Sequence, residues 1–283
     1  MDRMNEFDDV GILVVGHGTR KAAGADQLRL LVQWMREEEP GWQFYESFLE
    51  LAEPPIEQAV ALAANDGMRR LIIVPILLFE AGHAKSDIPN AVATATHNHG
   101  LKVLAQTPSL GTLPDVLDLS NHRFEEIATH GKTIGCPEGH CSRVRCDQGC
   151  YLIGRDLGRI GLAMIGRGTS DIDALNQMRR LTELCVGSRS VVWYGTGFFA
   201  GGTPTVDGLL DEASQAVSLD GPCQTILVQP HLLFEGELMD QLRAKLLDRI
   251  TRYPDRQWLL ARSLGADRGL AKVFIDLVNA ATG

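Results

Sequence analysis

The tetrapeptide Gly16-His17-Gly18-Thr19 recurs 150 residues later as Gly166-Arg167-Gly168-Thr169. Each copy follows an apolar run, Gly11–Val15 in the first case and Gly161–Ile165 in the second, and each precedes a helical pattern. The offset persists downstream, matching Phe48 with Phe198 and Pro54 with Pro204. A chain that repeats itself in register folds as copies of one unit, so its architecture has to be read repeat by repeat. The length of 283 residues suits two units at roughly 150 residues apiece.

Within each copy, short apolar runs alternate with segments of helical periodicity, the pattern of βαβ units and a parallel sheet. In the first copy the strands are expected at Val10–Val15, Gln43–Leu49, Leu71–Leu78 and Leu101–Ala105. Helices are expected over Ala25–Glu38, from Pro54-Pro55 to Gly67, from a cap at Ser86 or Asp87 to Gly100, and over Leu113–Thr129. The second copy repeats the order, with strands at Gly161–Ile165, Ser190–Tyr194, Thr225–Gln229 and Trp258–Leu260. Its helices fall near Ile172–Cys185, Pro204–Val217, Leu238–Ile250 and Asp267–Ala281. The expected fold is α/β: two tandem lobes, each a four-stranded parallel sheet flanked by helices, over residues 1–130 and 160–283. Residues 131–159 form a linker without clear periodicity.

A net charge of −9 disfavours a nucleic-acid partner, which would select a basic face. No apolar run approaches the ~20 residues of a membrane span, and the acidic start of the chain carries no apolar signal core. These features predict a cytoplasmic protein with no membrane or nucleic-acid partner. The internal duplication can replace a homodimer, so a monomer with an internal pseudo-dimer is expected.

In open parallel sheets, ligands bind beyond the carboxyl ends of the strands. His17 follows the first strand, Glu50 the second and His83 the third, at equal spacings of 33 residues. Successive βα units therefore deliver two imidazoles and a carboxylate to one edge. That donor set suits a borderline divalent ion such as Co²⁺, Fe²⁺, Ni²⁺ or Zn²⁺. Glu46 and Glu53 are competing carboxylates nearby. Gly16, Gly18 and Gly82 beside the histidines let a bulky flat ligand approach the backbone. Neither GxxxxGK[ST] nor GxGxxG follows a strand, which excludes P-loop and dinucleotide-binding enzymes.

Val15-Gly-His-Gly-Thr-Arg20, then Phe48-Leu-Glu-Leu-Ala-Glu-Pro54, then Val74-Pro-Ile-Leu-Leu-Phe79 with Gly82-His-Ala-Lys-Ser-Asp-Ile-Pro89 resemble the class II tetrapyrrole chelatases. The resemblance is to the long, two-lobed sirohydrochlorin cobalto-/ferrochelatases, strong over residues 10–125 and weaker over 160–283. It implies ATP-independent insertion of Co²⁺ or Fe²⁺ into sirohydrochlorin, in cobalamin or sirohaem biosynthesis. His17 and His83 match the paired active-site histidines and Glu50 the acidic partner, so all three are candidates for metal binding and catalysis. A neutral histidine can accept the pyrrole protons that leave as the metal enters and can hold the ion through nitrogen. Metal binding should then weaken as the histidines protonate below about pH 6. Rival readings are a chelatase for another tetrapyrrole and a non-catalytic metal or tetrapyrrole carrier.

The second copy departs at each chemical position. Arg167 replaces His17, Ala200 replaces Glu50, and aligning Pro75 with Pro230 puts Leu238 at His83, beside Glu237. One cleft is expected, with the second lobe facing it. Arg167 there suits a substrate carboxylate through its planar fork; Arg20, Lys21 and Lys85 are further cations near the first-lobe motifs. His231 is read as a packed histidine, and His97, His99, His122 and His130 as solvated surface residues without a ligand-like partner. In the linker, Cys136, Cys141, Cys146 and Cys150 follow the pattern C-x4-C-x4-C-x3-C. This matches no standard zinc or ferredoxin spacing; a metal centre there, an iron–sulfur cluster ahead of zinc, is weighed against unliganded thiols. Cys185 and Cys223 read as core residues.

Overall fold

A computed structural model describes residues 9–79, 83–130, 159–187, 189–219 and 221–282; for 83–85, 129 and 130 it describes the backbone alone. In the first repeat the elements run β1 (Val10–Gly16), α1 (Ala22–Glu38), β2 (Gln43–Phe48), α2 (Ile56–Asn65), β3 (Arg70–Pro75), α3 (His83–His99), β4 (Lys102–Gln106) and α4 (Pro114–His130). The second repeat gives β5 (Ile160–Gly166), α5 (Ile172–Val186), β6 (Trp193–Phe198) and α6 (Val206–Gln215). It continues with the small hairpin β7 (Val217–Ser218) and β8 (Gly221–Pro222), then β9 (Thr225–Pro230), α7 (Glu237–Arg252), β10 (Gln257–Leu260) and α8 (Arg268–Thr282).

Two four-stranded parallel sheets result, with orders β2-β1-β3-β4 and β10-β9-β5-β6. The central strands are apolar on both faces because helices cover both. Leu13 and Val15 pack under α2 and α3 with Ile56, Val60, Ile88 and Val92. Neighbouring residues of a strand point to opposite faces, so Ile12 and Val14 belong to the face that α1 covers with Leu28, Leu31, Val32 and Met35, all buried. The chain leaves β1 to one side for β2 and then crosses to the other side for β3. In such a sheet the switch point between β1 and β3 is where ligands bind.

The compact units do not follow the sequence repeats. One comprises residues up to Gly111 together with Ala266–Gly283, and the other comprises Thr112–Gly265. Helix α8, the last of the second repeat, packs on α1, β3 and β4. It buries Leu270, Phe274, Ile275 and Val278 there, and Arg268 reaches Glu37 at 2.7 Å while lying over the Trp34 ring. Helix α4, the last of the first repeat, packs on α5 and β9. Its Arg123, buried, donates to the carbonyl of Leu264 through Nη2 at 2.6 Å and Nε at 3.1 Å. Gln229 donates to the carbonyl of Ser120 at 2.7 Å, and Arg189 donates to Asn121 and covers the Phe124 ring at 4.2 Å. The repeats have thus exchanged their terminal helices.

Several expected boundaries shift: β3 ends at Pro75 rather than Leu78, and α6 ends at Gln215, leaving Val217 to β7. Strand β6 runs Trp193–Phe198 rather than Ser190–Tyr194, pairing with β5 as far as Gly166 and Phe198 although Gly195 and Gly197, weak strand formers, lie inside it. Their lack of side chains is what lets α6 approach: a Cβ on Gly195 would sit 2.5 Å from Leu209 Cδ1, and one on Gly197 2.8 Å from Leu209 Cβ. Helix α3 begins at His83, three residues before the expected cap, so Pro89 lies inside it. A proline in a second turn forfeits one intrahelical hydrogen bond.

Candidate active site

Each repeat builds the same pair of interlocked loops at the carboxyl ends of its first two strands. In the first, the Glu50 N–H donates to the His17 carbonyl at 3.1 Å and the Leu49 N–H to Gly16 at 2.9 Å. In the second, the Ala200 N–H donates to Arg167 at 3.1 Å and Phe199 to Gly166 at 3.3 Å. Gly18 adopts φ 96° and Gly168 φ 82°, conformations that a Cβ disfavours. Space gives a second reason for glycine: a Cβ on Gly18 would lie 1.6 Å from the Glu50 carbonyl oxygen, and one on Gly168 1.9 Å from that of Ala200. The second glycine of the Gly-X-Gly-Thr signature is therefore a docking requirement between the two loops, independent of the residue at X.

In the first unit this scaffold holds His17 Nδ1 3.5 Å from Glu50 Oε1, with the imidazole 29% and the carboxylate 54% exposed. The pair is open to solvent. A carboxylate beside Nδ1 fixes the ring and favours the neutral tautomer that keeps Nε2 as the basic, metal-ligating nitrogen. Glu46, the first rival carboxylate, lies on β2 beside Arg29 at 3.6 Å and Arg36 at 3.9 Å, which ties its charge to α1. The carbonyl of Glu53 accepts from Arg29 at 3.0 Å. His83 opens α3 after the adjacent strand β3, and the side chains of His83 and Lys85 lie outside the described structure. Arg20 and Lys21 are exposed on the loop after His17.

The second unit carries Arg167 and Ala200, both exposed, at the matching places. The register confirms the alignment of the third strands, since Val15 pairs with Pro75 and Ile165 with Pro230. His231 is 2% exposed, a packed residue as expected. Its N–H donates to Ile165 at 2.7 Å as that of Ile76 does to Val15 at 2.8 Å, and burial pushes its pKa down to about 4. His97, His99 and His122 are exposed, but His99 lies 3.0 Å from Glu57 and His122 3.3 Å from Glu126. Those carboxylates come from a neighbouring helix and from one turn onward. The side chain of His130 and the cysteines Cys136, Cys141, Cys146 and Cys150 lie outside the described residues. Cys185 and Cys223 are buried. Among the described residues, no group of three or more His, Cys, Asp or Glu side chains is placed to hold a metal, and no helix is long and apolar enough to cross a membrane.

Two features of the first site, the backbone at Leu51 and the place of Lys21 at a helix cap, went unmarked in the sequence. Leu51, next to Glu50, has φ 62°, a left-handed conformation costing a non-glycine residue about 1–2 kcal/mol. The matching Gly201 has φ 65°. Lys21 occupies the N-cap of α1 and makes no capping hydrogen bond from its side chain, whereas the matching Asp171 caps α5 by accepting from the N–H groups of Asp173 and Ala174. Aligning the repeats residue by residue would have exposed both differences.

The CbiX family profile matches residues 11–127 and again 161–281. A sirohydrochlorin ferrochelatase of Priestia megaterium is 25% identical over 265 residues, 93% of this chain and 87% of that protein. A sirohydrochlorin cobaltochelatase of the same organism is 22% identical, covering 90% of this chain and 74% of its own. Among solved structures, SirB from Bacillus subtilis with Fe³⁺ superposes with a TM-score of 0.74 at 22% identity, covering 96% of this chain and 95% of that one. With the duplicated profile spanning both repeats and the shared two-sheet fold, the chain belongs to the CbiX family.

Proposed function

We propose that the protein inserts a divalent metal, Co²⁺ or Fe²⁺, into sirohydrochlorin without ATP. The observation that carries this reading is the His17–Glu50 pair, at 3.5 Å, held open to solvent at the switch point of a parallel sheet. The reaction exchanges one divalent cation for two pyrrole N–H protons. It therefore needs a ligand that can take a metal, surrender it and accept a proton at one place. Imidazole does all three near neutral pH, and a thiolate cage does not release its ion. His17 is assigned as metal ligand and proton acceptor, with Glu50 orienting the imidazole and neutralising the imidazolium as it forms. His83, at the head of α3 after the adjacent strand β3, is assigned as the second nitrogen ligand.

Arg20, Lys85 and Arg167 are assigned to the carboxylates of the substrate, offsetting the net charge of −9 that would otherwise repel an anionic tetrapyrrole. The second repeat, lacking a histidine at 167 and a carboxylate at 200, performs no insertion of its own. The chain is taken to act as a cytoplasmic monomer, checked by light scattering. Iron and acid-labile sulfide in anaerobically purified protein, lost in Cys146→Ala, would test the separate expectation of a cluster on the linker cysteines.

The decisive assay is incubation of purified protein with sirohydrochlorin and either metal, followed by absorption. Multiple turnovers per chain, abolished in His17→Ala, support the reading. A single stoichiometric change identifies a carrier instead, and turnover only with another tetrapyrrole reassigns the substrate. Relatives of both ferrochelatase and cobaltochelatase name match at similar identity, so the metal has to be settled by comparing the two in that assay.

A further inference from the structure

We propose that Leu51 is a substrate-positioning residue whose isobutyl group lies against the apolar face of the tetrapyrrole, beside the His17–Glu50 pair. The inference rests on the chelatase reading above. It starts from the duplication, which supplies an internal control for every residue of the loop. Both copies hold this position in the left-handed region, at φ 62° for Leu51 and φ 65° for Gly201. Glycine is the residue that such a position selects when only the fold matters, and the copy without the histidine has it. The copy with the histidine carries leucine, which is conformationally disfavoured there.

Packing within the fold does not account for the leucine of the first copy, because Leu51 remains 46% exposed. Nor is the leucine a neutral substitution that either loop would accept. In the second unit, a Cβ on Gly201 would stand 2.2 Å from the carbonyl oxygen of Thr169 and 2.4 Å from its carbon. The first-unit loop has therefore been arranged to admit a side chain that the fold does not require. Backbone strain held at a loop of this kind is where ligand contacts concentrate, and the strained residue here is an exposed leucine. A macrocycle presenting a wide flat apolar face is the ligand chemistry that such a group serves. Metal transfer would gain because a macrocycle seated on Leu51 brings its nitrogens over the neighbouring imidazole in a fixed pose.

The test compares Leu51→Gly and Leu51→Met with the unaltered protein, using steady-state metal insertion, direct binding of metal-free sirohydrochlorin by fluorescence quenching, and thermal unfolding. With about half of the leucine surface left to bury, Leu51→Gly should raise the KM and Kd for sirohydrochlorin about 5-fold. The KM for the metal should stay unchanged, and the unfolding temperature unchanged or higher. Leu51→Met should keep the KM of the unaltered protein. An unchanged KM and Kd in Leu51→Gly, or a lowered unfolding temperature, would overturn the proposal by showing a bystander or a structural anchor. An unaltered protein that binds sirohydrochlorin but never turns over would defeat the chelatase reading while leaving the binding comparison informative about Leu51.

Discussion

Phe274 lies on α8, in the second sequence repeat, yet it packs into the compact unit that carries His17 and Glu50. It is fully buried. Truncating a buried phenylalanine to alanine costs about 3–5 kcal/mol, a large share of the ~5–15 kcal/mol that holds a domain folded. At about 4 kcal/mol the ratio of folded to unfolded first unit falls roughly a thousand-fold. With a urea slope of about 2 kcal/mol/M, the midpoint drops by about 2 M. Phe274→Ala should therefore unfold the unit bearing His17 and Glu50 first, although the substitution lies far along the chain from both. Hydrogen exchange read by mass spectrometry locates the loss: β1 and β3 should exchange faster, while β5 and β9 keep their protection. Phe124→Ala on α4 should give the reverse pattern. Faster exchange in β5 and β9 for Phe274→Ala would refute the assignment of α8 to the first unit.

Gly18→Ala forces a Cβ against the Glu50 carbonyl at 1.6 Å and should abolish insertion while leaving the second unit's urea midpoint in place; retained activity would show that the loops can move apart. Arg167→Ala should raise the KM for sirohydrochlorin several-fold with the metal KM unaltered, and an unchanged substrate KM would remove Arg167 from the binding surface. Lys21→Asp should restore the cap present in the second repeat and stabilise α1 by about 0.5–2 kcal/mol, while weakening substrate binding by placing a carboxylate where an anion arrives. A gain in both stability and affinity would contradict the assignment of this loop to the substrate. His231, whose pKa burial pushes down to about 4 from 6.5, takes up its proton in the unfolded chain before the folded one. Its stabilising contribution is thus complete above pH 6.5 and declines by about 3 kcal/mol as the pH falls to 4. His231→Gln should lack that component in urea titrations across the same range, and identical pH slopes in the two proteins would refute it.

Much of this was legible because duplication and periodicity are local signals. The strand and helix order, the two parallel sheets and the Gly-X-Gly-Thr junctions follow from apolar runs and from where glycine is needed, and the convergence of His17 and Glu50 follows from strand ends. What stayed hidden was non-local. The exchange of α4 and α8 leaves no mark in either helix, since an amphipathic face reads the same whichever sheet it covers. The continuation of β6 past Tyr194 was obscured because Gly195 and Gly197 make room for Leu209, which lies on another element. The fate of Glu46 depended on Arg29 and Arg36 reaching across from α1. The strain at Leu51 shows only through its φ angle, although Gly201 in the other copy pointed to it.

The exchanged helices also set the order in which the protein can be made. The unit bearing His17 and Glu50 is translated first, but its sheet lacks the α8 cover until residues 268–282 have emerged. The second unit, by contrast, has its α4 in hand from the start. Contacts spanning nearly the whole chain form slowly, and an uncovered sheet face exposed meanwhile invites aggregation. The unit without His17 and Glu50 is therefore the one that can finish folding early, and a helix encoded roughly 200 residues after them completes the unit that bears them.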